Sequence, residues 1–132
     1  MVKKWGDYYN FFMHHSQHNA YKLSYQLSNI IWPIVGNWKS FEKQTIGNQL
    51  MRSTDSISSN IAEGWARYYK KDKILFYNCA RSSLAETQDW ISKAINRKLI
   101  AIDKQIEIEH ILESLPKELN GLIKGTKENL KF

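Results

Sequence analysis

The sequence predicts an all-α protein, an antiparallel up-down four-helix bundle, and three observations support this fold class. Only two prolines and six glycines interrupt the 132 residues. No Asn-Gly or Asp-Gly turn separates two runs of alternating apolar and polar residues, as it would in a β-hairpin. Four long segments place apolar residues every three or four positions, the period of an amphipathic helix. Four such helices with short connections pack most simply as an up-down bundle.

The first two helical segments each carry one apolar face. Pro33 should kink the first helix, or end its regular hydrogen bonding near residue 32. Its apolar face comprises Ala20, Leu23, Leu27, Ile30, Ile31, Ile34 and Trp38. The second helix runs from about Phe41 to Trp65, and Gly64 near its end is expected to form a left-handed cap. Its apolar face comprises Ile46, Leu50, Thr54, Ile57 and Ile61.

The third segment, about 71–98, and the fourth, about 103–127, complete the bundle. The third has a main apolar stripe and a second one beside it, which is more apolar surface than a monomeric bundle helix needs. The second stripe is therefore expected to face another subunit, and it comprises Phe76, Ala80, Thr87, Trp90 and Ala94. The main stripe of the third segment comprises Tyr77, Ala80, Leu84, Gln88, Ile91 and Ile95. The apolar face of the fourth segment comprises Ile108, Ile111, Leu112, Leu115, Leu119 and Leu122. In the fourth segment Asp103 is the predicted N-cap, and Pro116 should bend the helix.

The chain is long enough for one domain with a continuous core. Residues 1–15 differ in composition from the rest of the chain. Aromatic residues crowd this segment without helical period: Trp5, Tyr8, Tyr9, Phe11 and Phe12. We therefore predict an aromatic N-terminal arm over residues 1–15 that packs across the bundle or on a neighbouring subunit. Residues 16–132 form the predicted four-helix domain.

The composition indicates the cellular location of the protein and the charge of its binding partners. No window approaches the roughly 18 to 20 apolar residues of a membrane span, and no secretory signal is evident. Because Cys79 is the single cysteine, the chain cannot form an internal disulfide, and we expect a reducing, cytoplasmic location. The Cys79 side chain is expected to be buried or half-buried. The net charge of +6 suggests an acidic partner, including nucleic acid.

Catalytic and cofactor motifs are missing from the sequence. It contains no Gly-x-Ser-x-Gly elbow, P-loop or Gly-x-Gly-x-x-Gly run, so we predict neither an enzyme nor a bound cofactor. His14 and His18 could share a helix face, but a zinc site needs three or four ligands. Cys79 and His110 have no partners at ligand spacing, so no metal site is predicted.

A column of polar residues runs along one flank of the second helix, beside its apolar face. Helical geometry puts Arg52, Ser56, Asn60, Glu63 and Arg67 on this column, and Gly64 follows Glu63 directly. The column is either a hydrogen-bonded joint between helices or a binding surface. A joint is favoured, because each buried group left unsatisfied costs about 1–3 kcal/mol. Glu63 and Arg67 could also pair on the helix surface.

The turn after Gly64 is basic and carries two tyrosines. Its four cations surround the two rings, in the order Arg67, Tyr68, Tyr69, Lys70, Lys71 and Lys73. Cations and aromatic rings in one short segment suit contacts to a phosphate backbone and stacking with bases. A solvated turn without a ligand is the alternative, and both interpretations remain open.

The residues from Leu50 to Gly64, which end in Asn-Ile-Ala-Glu-Gly, resemble the signature of the bacterial four helix bundle proteins. These proteins were first noticed as products of intervening sequences in 23S ribosomal RNA genes. The resemblance extends over about 110 residues, including Ala20-Tyr21-Lys22-Leu23, Lys71-Asp72-Lys73, Ser82–Gln88 and Leu119–Ile123. The family often has proline where this chain has Ser58, and the aromatic arm has no recognised counterpart.

The resemblance implies a homo-oligomeric barrel, most simply a pentamer, with no enzymatic activity. A relative is the accessory variability determinant of diversity-generating retroelements, a basic pentamer that binds reverse transcriptase and nucleic acid. By this resemblance the chain would be an accessory or scaffold protein for RNA or DNA. Arg52, Asn60, Glu63 and Gly64 match motif positions interpreted as structural, and the basic turn would be a binding surface. The alternative is a protein–protein interaction module that binds no nucleic acid.

Overall fold

The computed structural model describes residues 18–131, and this part of the chain contains helices and no β-strand. Helix α1 spans Asn19–Gly36, α3 spans Lys70–Asn96 and α4 spans Ile102–Asn129. Helix α2 consists of three consecutive pieces: Ser40–Glu42, the π-helical turn Lys43–Gly47, and Asn48–Ala66. The predicted all-α class and its four helices are confirmed. The predicted aromatic arm lies outside the described residues.

The four helices form a bundle in which each contacts two neighbours, in the order α1–α2–α3–α4 and back to α1. Two long-range hydrogen bonds define its ends. At one end the Trp38 indole Nε1 donates to the Leu99 carbonyl over 2.8 Å, joining the loops after α1 and after α3. At the other end Lys70 Nζ donates to the Leu130 carbonyl over 3.0 Å. These two contacts fit an up-down arrangement of the helices.

The core lies along the axis of the bundle and receives one apolar face from each helix. Fully enclosed side chains include Leu27 and Ile31 of α1, Ile57 of α2 and Tyr77 of α3. Helix α4 contributes Ile108, Leu115 and Leu119. These residues fall on the predicted apolar faces, because the 3.6-residue period of a helix brings them to one side.

Both prolines lie inside helices. Helix α1 continues through Pro33 to Gly36, so the predicted end of regular structure near residue 32 is wrong. Ile31 and Val35, on either side of Pro33, are buried, and their burial favours continued helix despite the missing proline N–H. Asn37 then caps α1, and its side-chain amide donates to the Pro33 carbonyl over 2.9 Å. Helix α4 likewise continues through Pro116.

Two further predictions are corrected by the structure. Ala101, and not Asp103, is the N-cap of α4; Asp103 lies in the first turn, where its negative charge suits the positive end of the helix. Cys79 is exposed, because it points away from the stripe that contains Tyr77 and Ala80.

The second stripe of α3 is buried in part within the bundle. Ala80, Thr87 and Ala94 are buried, whereas Phe76 and Trp90 are only half-buried. That one edge of this helix faces another subunit stays a prediction.

None of the helices found between residues 18 and 131 is both long enough and apolar enough to cross a lipid bilayer.

Candidate nucleic-acid interface

The bundle brings two basic segments together that are far apart in the sequence. Lys70 Nζ, at the start of α3, donates to the carbonyl of Lys127 over 3.2 Å and to that of Leu130 over 3.0 Å. The basic turn is therefore adjacent to the C-terminal end of α4. We call this surface the basic end of the bundle, and it comprises Arg67, Tyr68, Tyr69, Lys70, Lys71, Lys73, Lys124, Lys127 and Lys131.

Two tyrosines of the basic end are exposed to solvent. The side chains of Tyr68 and Tyr69 are 74% and 58% exposed. Their rings meet edge to face, with centroids 5.1 Å apart and an interplanar angle of 86°. The two rings therefore present their faces in different directions, and exposed rings of this kind can stack with nucleobases.

Two of the predicted binding lysines cap helices within the bundle. Lys73 Nζ donates to the carbonyl of Trp65 over 2.7 Å and lies 3.5 Å from that of Gly64, at the C-terminal end of α2. Lys70 likewise donates to carbonyls at the C-terminal end of α4. A cation is favourable at the negative end of a helix. Burial lowers the pKa of Lys73 below the usual value of a lysine.

The side chains of Arg67 and Lys71, the other two predicted cations, cap no helix; Arg67 is the C-cap residue of α2 through its backbone N–H alone. The guanidinium of Arg67 lies over the ring of Phe76, 4.5 Å from its centroid, in a cation–π contact. Both side chains are exposed to solvent. They provide positive charge on either side of the two tyrosines. Sequence reasoning missed Lys124, Lys127 and Lys131, although the antiparallel order of the helices would have placed the end of the fourth helix beside this turn.

Part of the predicted polar column lies in a hydrogen-bonded joint between α2 and α3. The hydroxyls of Ser56 and Ser83 are 2.9 Å apart, and Asn60 Nδ2 donates to Ser56 Oγ over 2.9 Å and to its carbonyl over 2.8 Å. One turn away, Thr87 Oγ1 lies 3.0 Å from Ser53 Oγ. The polar groups of both helices thus satisfy each other where the two backbones run close together. The partners on α3 could not be identified from the column alone.

Arg52, Glu63 and Arg67, the other members of the column, are exposed. Glu63 forms no ion pair with Arg67; the ion pairs within the described range are Lys93–Asp89 and Lys104–Glu107. The reason is local, because α2 ends at Ala66 and Arg67 has extended backbone angles of φ −74° and ψ 148°. The helical spacing that would align residues 63 and 67 is therefore lost.

Gly64 serves close packing and not a left-handed cap, since none of the glycines in the described part of the chain has a positive φ. It is buried within α2, and a Cβ added there would lie 2.6 Å from the Tyr77 ring. Only a residue without a side chain lets the two helices approach this closely. Burial raises the pKa of Tyr77 to about 12. Tyr77, the side chain that Gly64 contacts, is the largest fully buried side chain among the described residues.

His18 caps the N-terminus of α1 and gives the bundle a pH-sensitive contact. Its Nδ1 accepts from the Ala20 N–H over 3.1 Å, which requires the neutral imidazole with its proton on Nε2. Burial lowers the pKa of His18, while the charge of Glu118 opposes this shift. The unfolded chain therefore binds a proton more readily than the folded chain as the pH falls below about 6.5.

We expect the free energy of unfolding to fall as the pH drops from about 6.5 towards 5, and to be flat above about 6.5 as far as His18 is concerned. His18→Asn keeps a capping acceptor but cannot titrate, so this variant should lose less stability over the same range. Thermal unfolding at several pH values measures the difference. Identical pH profiles for the two proteins would contradict the assigned role of His18.

No cluster of three or more His, Cys, Asp or Glu side chains suited to a metal ion occurs within residues 18–131. His14, considered above as a ligand, lies outside this range.

The fold and the basic end define a class: a small helical bundle protein in which cations and two exposed tyrosines lie at one end. The chain belongs to the 23S rRNA-intervening sequence protein family, whose model matches residues 16–121. The family identified by resemblance from the sequence is thus confirmed. A comparison with curated proteins gave no match.

Proposed function

We propose that this protein is a non-enzymatic accessory or scaffold protein that binds RNA or DNA through the basic end. One observation supports the proposal: Lys70 joins two basic segments that are distant in the sequence, and one of these segments carries two exposed tyrosines. The basic turn supplies four cations and residues 124–131 supply three, against two carboxylates in the same segments, Asp72 and Glu128. A surface of this composition attracts a phosphate backbone and offers rings to unpaired bases.

Salt dependence is the direct test of this proposal. With about five phosphate contacts, affinity for a single strand should fall about 100-fold between about 50 and 200 mM salt, because each contact releases counterions. Fluorescence anisotropy of a labelled twelve-nucleotide strand measures the affinity at each salt concentration. Undetectable binding at about 50 mM salt, or binding that ignores salt, would refute the proposal.

Self-association is the second part of the proposal, and it is supported by exposed apolar side chains. Tyr25 and Trp32 on α1 are exposed, as are Ile102 and Ile106 near the start of α4. The family resemblance suggests a pentameric barrel, in which the basic end would be repeated around an axis. Because one long strand could contact the basic ends of several subunits at once, the assembly would bind it more tightly than a single subunit would. Light scattering tests the assembly, and a monomer would contradict it.

The same apolar surface supports the alternative function, a protein–protein interaction module that binds no nucleic acid. The resemblance to the retroelement accessory protein suggests a reverse transcriptase as the protein partner. The two functions differ in one measurement, since the interaction module would form a stable oligomer and leave the labelled strand free at every salt concentration.

A further inference from the structure

A groove opens at the basic end, between the start of α1, the end of α2 and the last turns of α4. Its volume is about 540 Å³. This is within the range of about 300–1,000 Å³ that is usual for small-molecule sites. The apolar part of its wall comprises the indole of Trp65, the ring of Tyr77 and the side chains of Leu122 and Leu130.

Two glycines on α4 keep this groove open. Gly121 and Gly125 are one helical turn apart and both line the wall. A Cβ at Gly121 would meet nothing within 4 Å, and one at Gly125 would meet only Asn129 Nδ2, at 3.8 Å. Neither glycine has a positive φ. Glycine weakens a helix interior, so here neither packing nor backbone conformation accounts for it. What the missing side chains do provide is space beside Trp65.

The polar groups of the groove can recognise an anionic ligand with a flat ring. Lys73 Nζ has three N–H groups and directs two towards the carbonyls of Trp65 and Gly64, which leaves one for a ligand. His18 uses Nδ1 as its capping acceptor, so Nε2–H is a donor. The side-chain amide of Asn129 also lines the wall. Trp65 is half-buried, and its indole can stack with a base.

We propose that the groove binds one base of a single-stranded nucleic acid, stacked on Trp65, with the adjoining phosphate at Lys73. This rests on the proposed function and deepens it by giving the basic end a base-binding site. The charge distribution favours a strand over a free nucleotide, because the cations continue outside the groove at Lys71 and Lys127. Phosphates on either side of the bound base would meet these lysines.

The test measures the binding of two labelled strands to the unmodified chain and to variants in which a leucine side chain fills the groove. The probes are a labelled twelve-nucleotide oligothymidylate and an abasic strand of the same length, which has the same phosphates and no bases. The full chain should bind the first at least about tenfold more tightly than the second, the contribution expected of one stacked base. Gly121→Leu and Gly125→Leu fill the groove, and each variant should reduce this preference about tenfold, leaving only what stacking on Tyr68 and Tyr69 contributes.

A matched control is available at the opposite end of the bundle. Gly36 also has nothing within 4 Å of an added Cβ. Gly36→Leu should therefore retain the full preference for the strand with bases. The filled variants should unfold at temperatures no lower than the unmodified chain, since leucine is a better helix former than glycine.

The proposal is overturned if the unmodified chain binds both strands equally, or if the filled variants keep the full preference of the unmodified chain. It is also overturned if filling the groove strongly lowers the unfolding temperature, because another part of the chain would then occupy it. Failure of the proposed function looks different, since neither strand would then bind at about 50 mM salt.

Discussion

Gly64→Ala is expected to lower the free energy of unfolding by about 1–3 kcal/mol, the usual cost of overpacking a core. In most helix interiors the same change stabilises, because alanine is the better helix former. Here the new Cβ would lie 2.6 and 2.8 Å from two atoms of the Tyr77 ring and 3.0 Å from Phe76 Cβ. The Tyr77 ring is 1% exposed, so it has no free space into which it could move.

Gly121→Ala is the matched control, because its Cβ would meet nothing within 4 Å. This variant should gain up to about 1 kcal/mol from helix propensity alone. Denaturant unfolding of the two variants measures both changes, and we expect opposite signs. Equal stabilisation by both substitutions would show that Gly64 does not mediate a close contact. Tyr77→Leu, which removes the contacting ring atoms, should reduce the cost of Gly64→Ala in a double-mutant cycle.

Reversing the charge of Lys71, Lys127 and Lys131 together is expected to weaken binding of a single strand more than about 100-fold at low salt. Binding should also depend less on salt: each lost phosphate contact reduces the slope of the logarithm of the binding constant against the logarithm of the salt concentration by about one. All three side chains are exposed. Lys70 and Lys73 are deliberately excluded, because they cap α4 and α2 and their reversal would also destabilise the bundle. Anisotropy titrations of the triple Lys→Glu variant measure the loss.

A control with the same change in net charge separates local contacts from overall attraction. Lys39, Lys43 and Lys98 are exposed at the opposite end of the bundle. If the basic end is the interface, their reversal should weaken binding far less than reversal of the first set. Equal losses for the two sets would point to non-specific attraction by net charge. Unchanged melting curves for both variants are required for the comparison.

The sequence predicted the helices well because hydrophobic periodicity is a local signal. The faces containing Leu27, Ile57 and Leu119 could be assigned residue by residue. Local rules were wrong where a neighbouring helix decided the outcome. Gly64 near a helix end suggested a left-handed cap, whereas the Tyr77 ring on α3 is what requires a glycine. Cys79 was expected inside, and the rotation of α3 in the bundle places it outside.

The candidate site shows the same division. The cations and tyrosines of residues 67–73 were visible as a run, but their roles were not. Only the packed bundle distinguishes Lys70 and Lys73, which bind carbonyls at helix ends, from Lys71, which does not. The lysines of residues 124–131 were missed because the interpretation considered residues 67–73 alone, although the predicted up-down order already places the end of the fourth helix beside this turn.

The sequence by itself determined the helical class, the apolar face of each helix, the family and the excess of positive charge. These properties depend on residue type and on spacings of three or four positions, which any helix turns into faces. Only the tertiary structure decided which polar groups satisfy each other, which cations cap helices and where a groove stays open. Such contacts join residues far apart in the chain, and they depend on the rotation and approach of neighbouring helices.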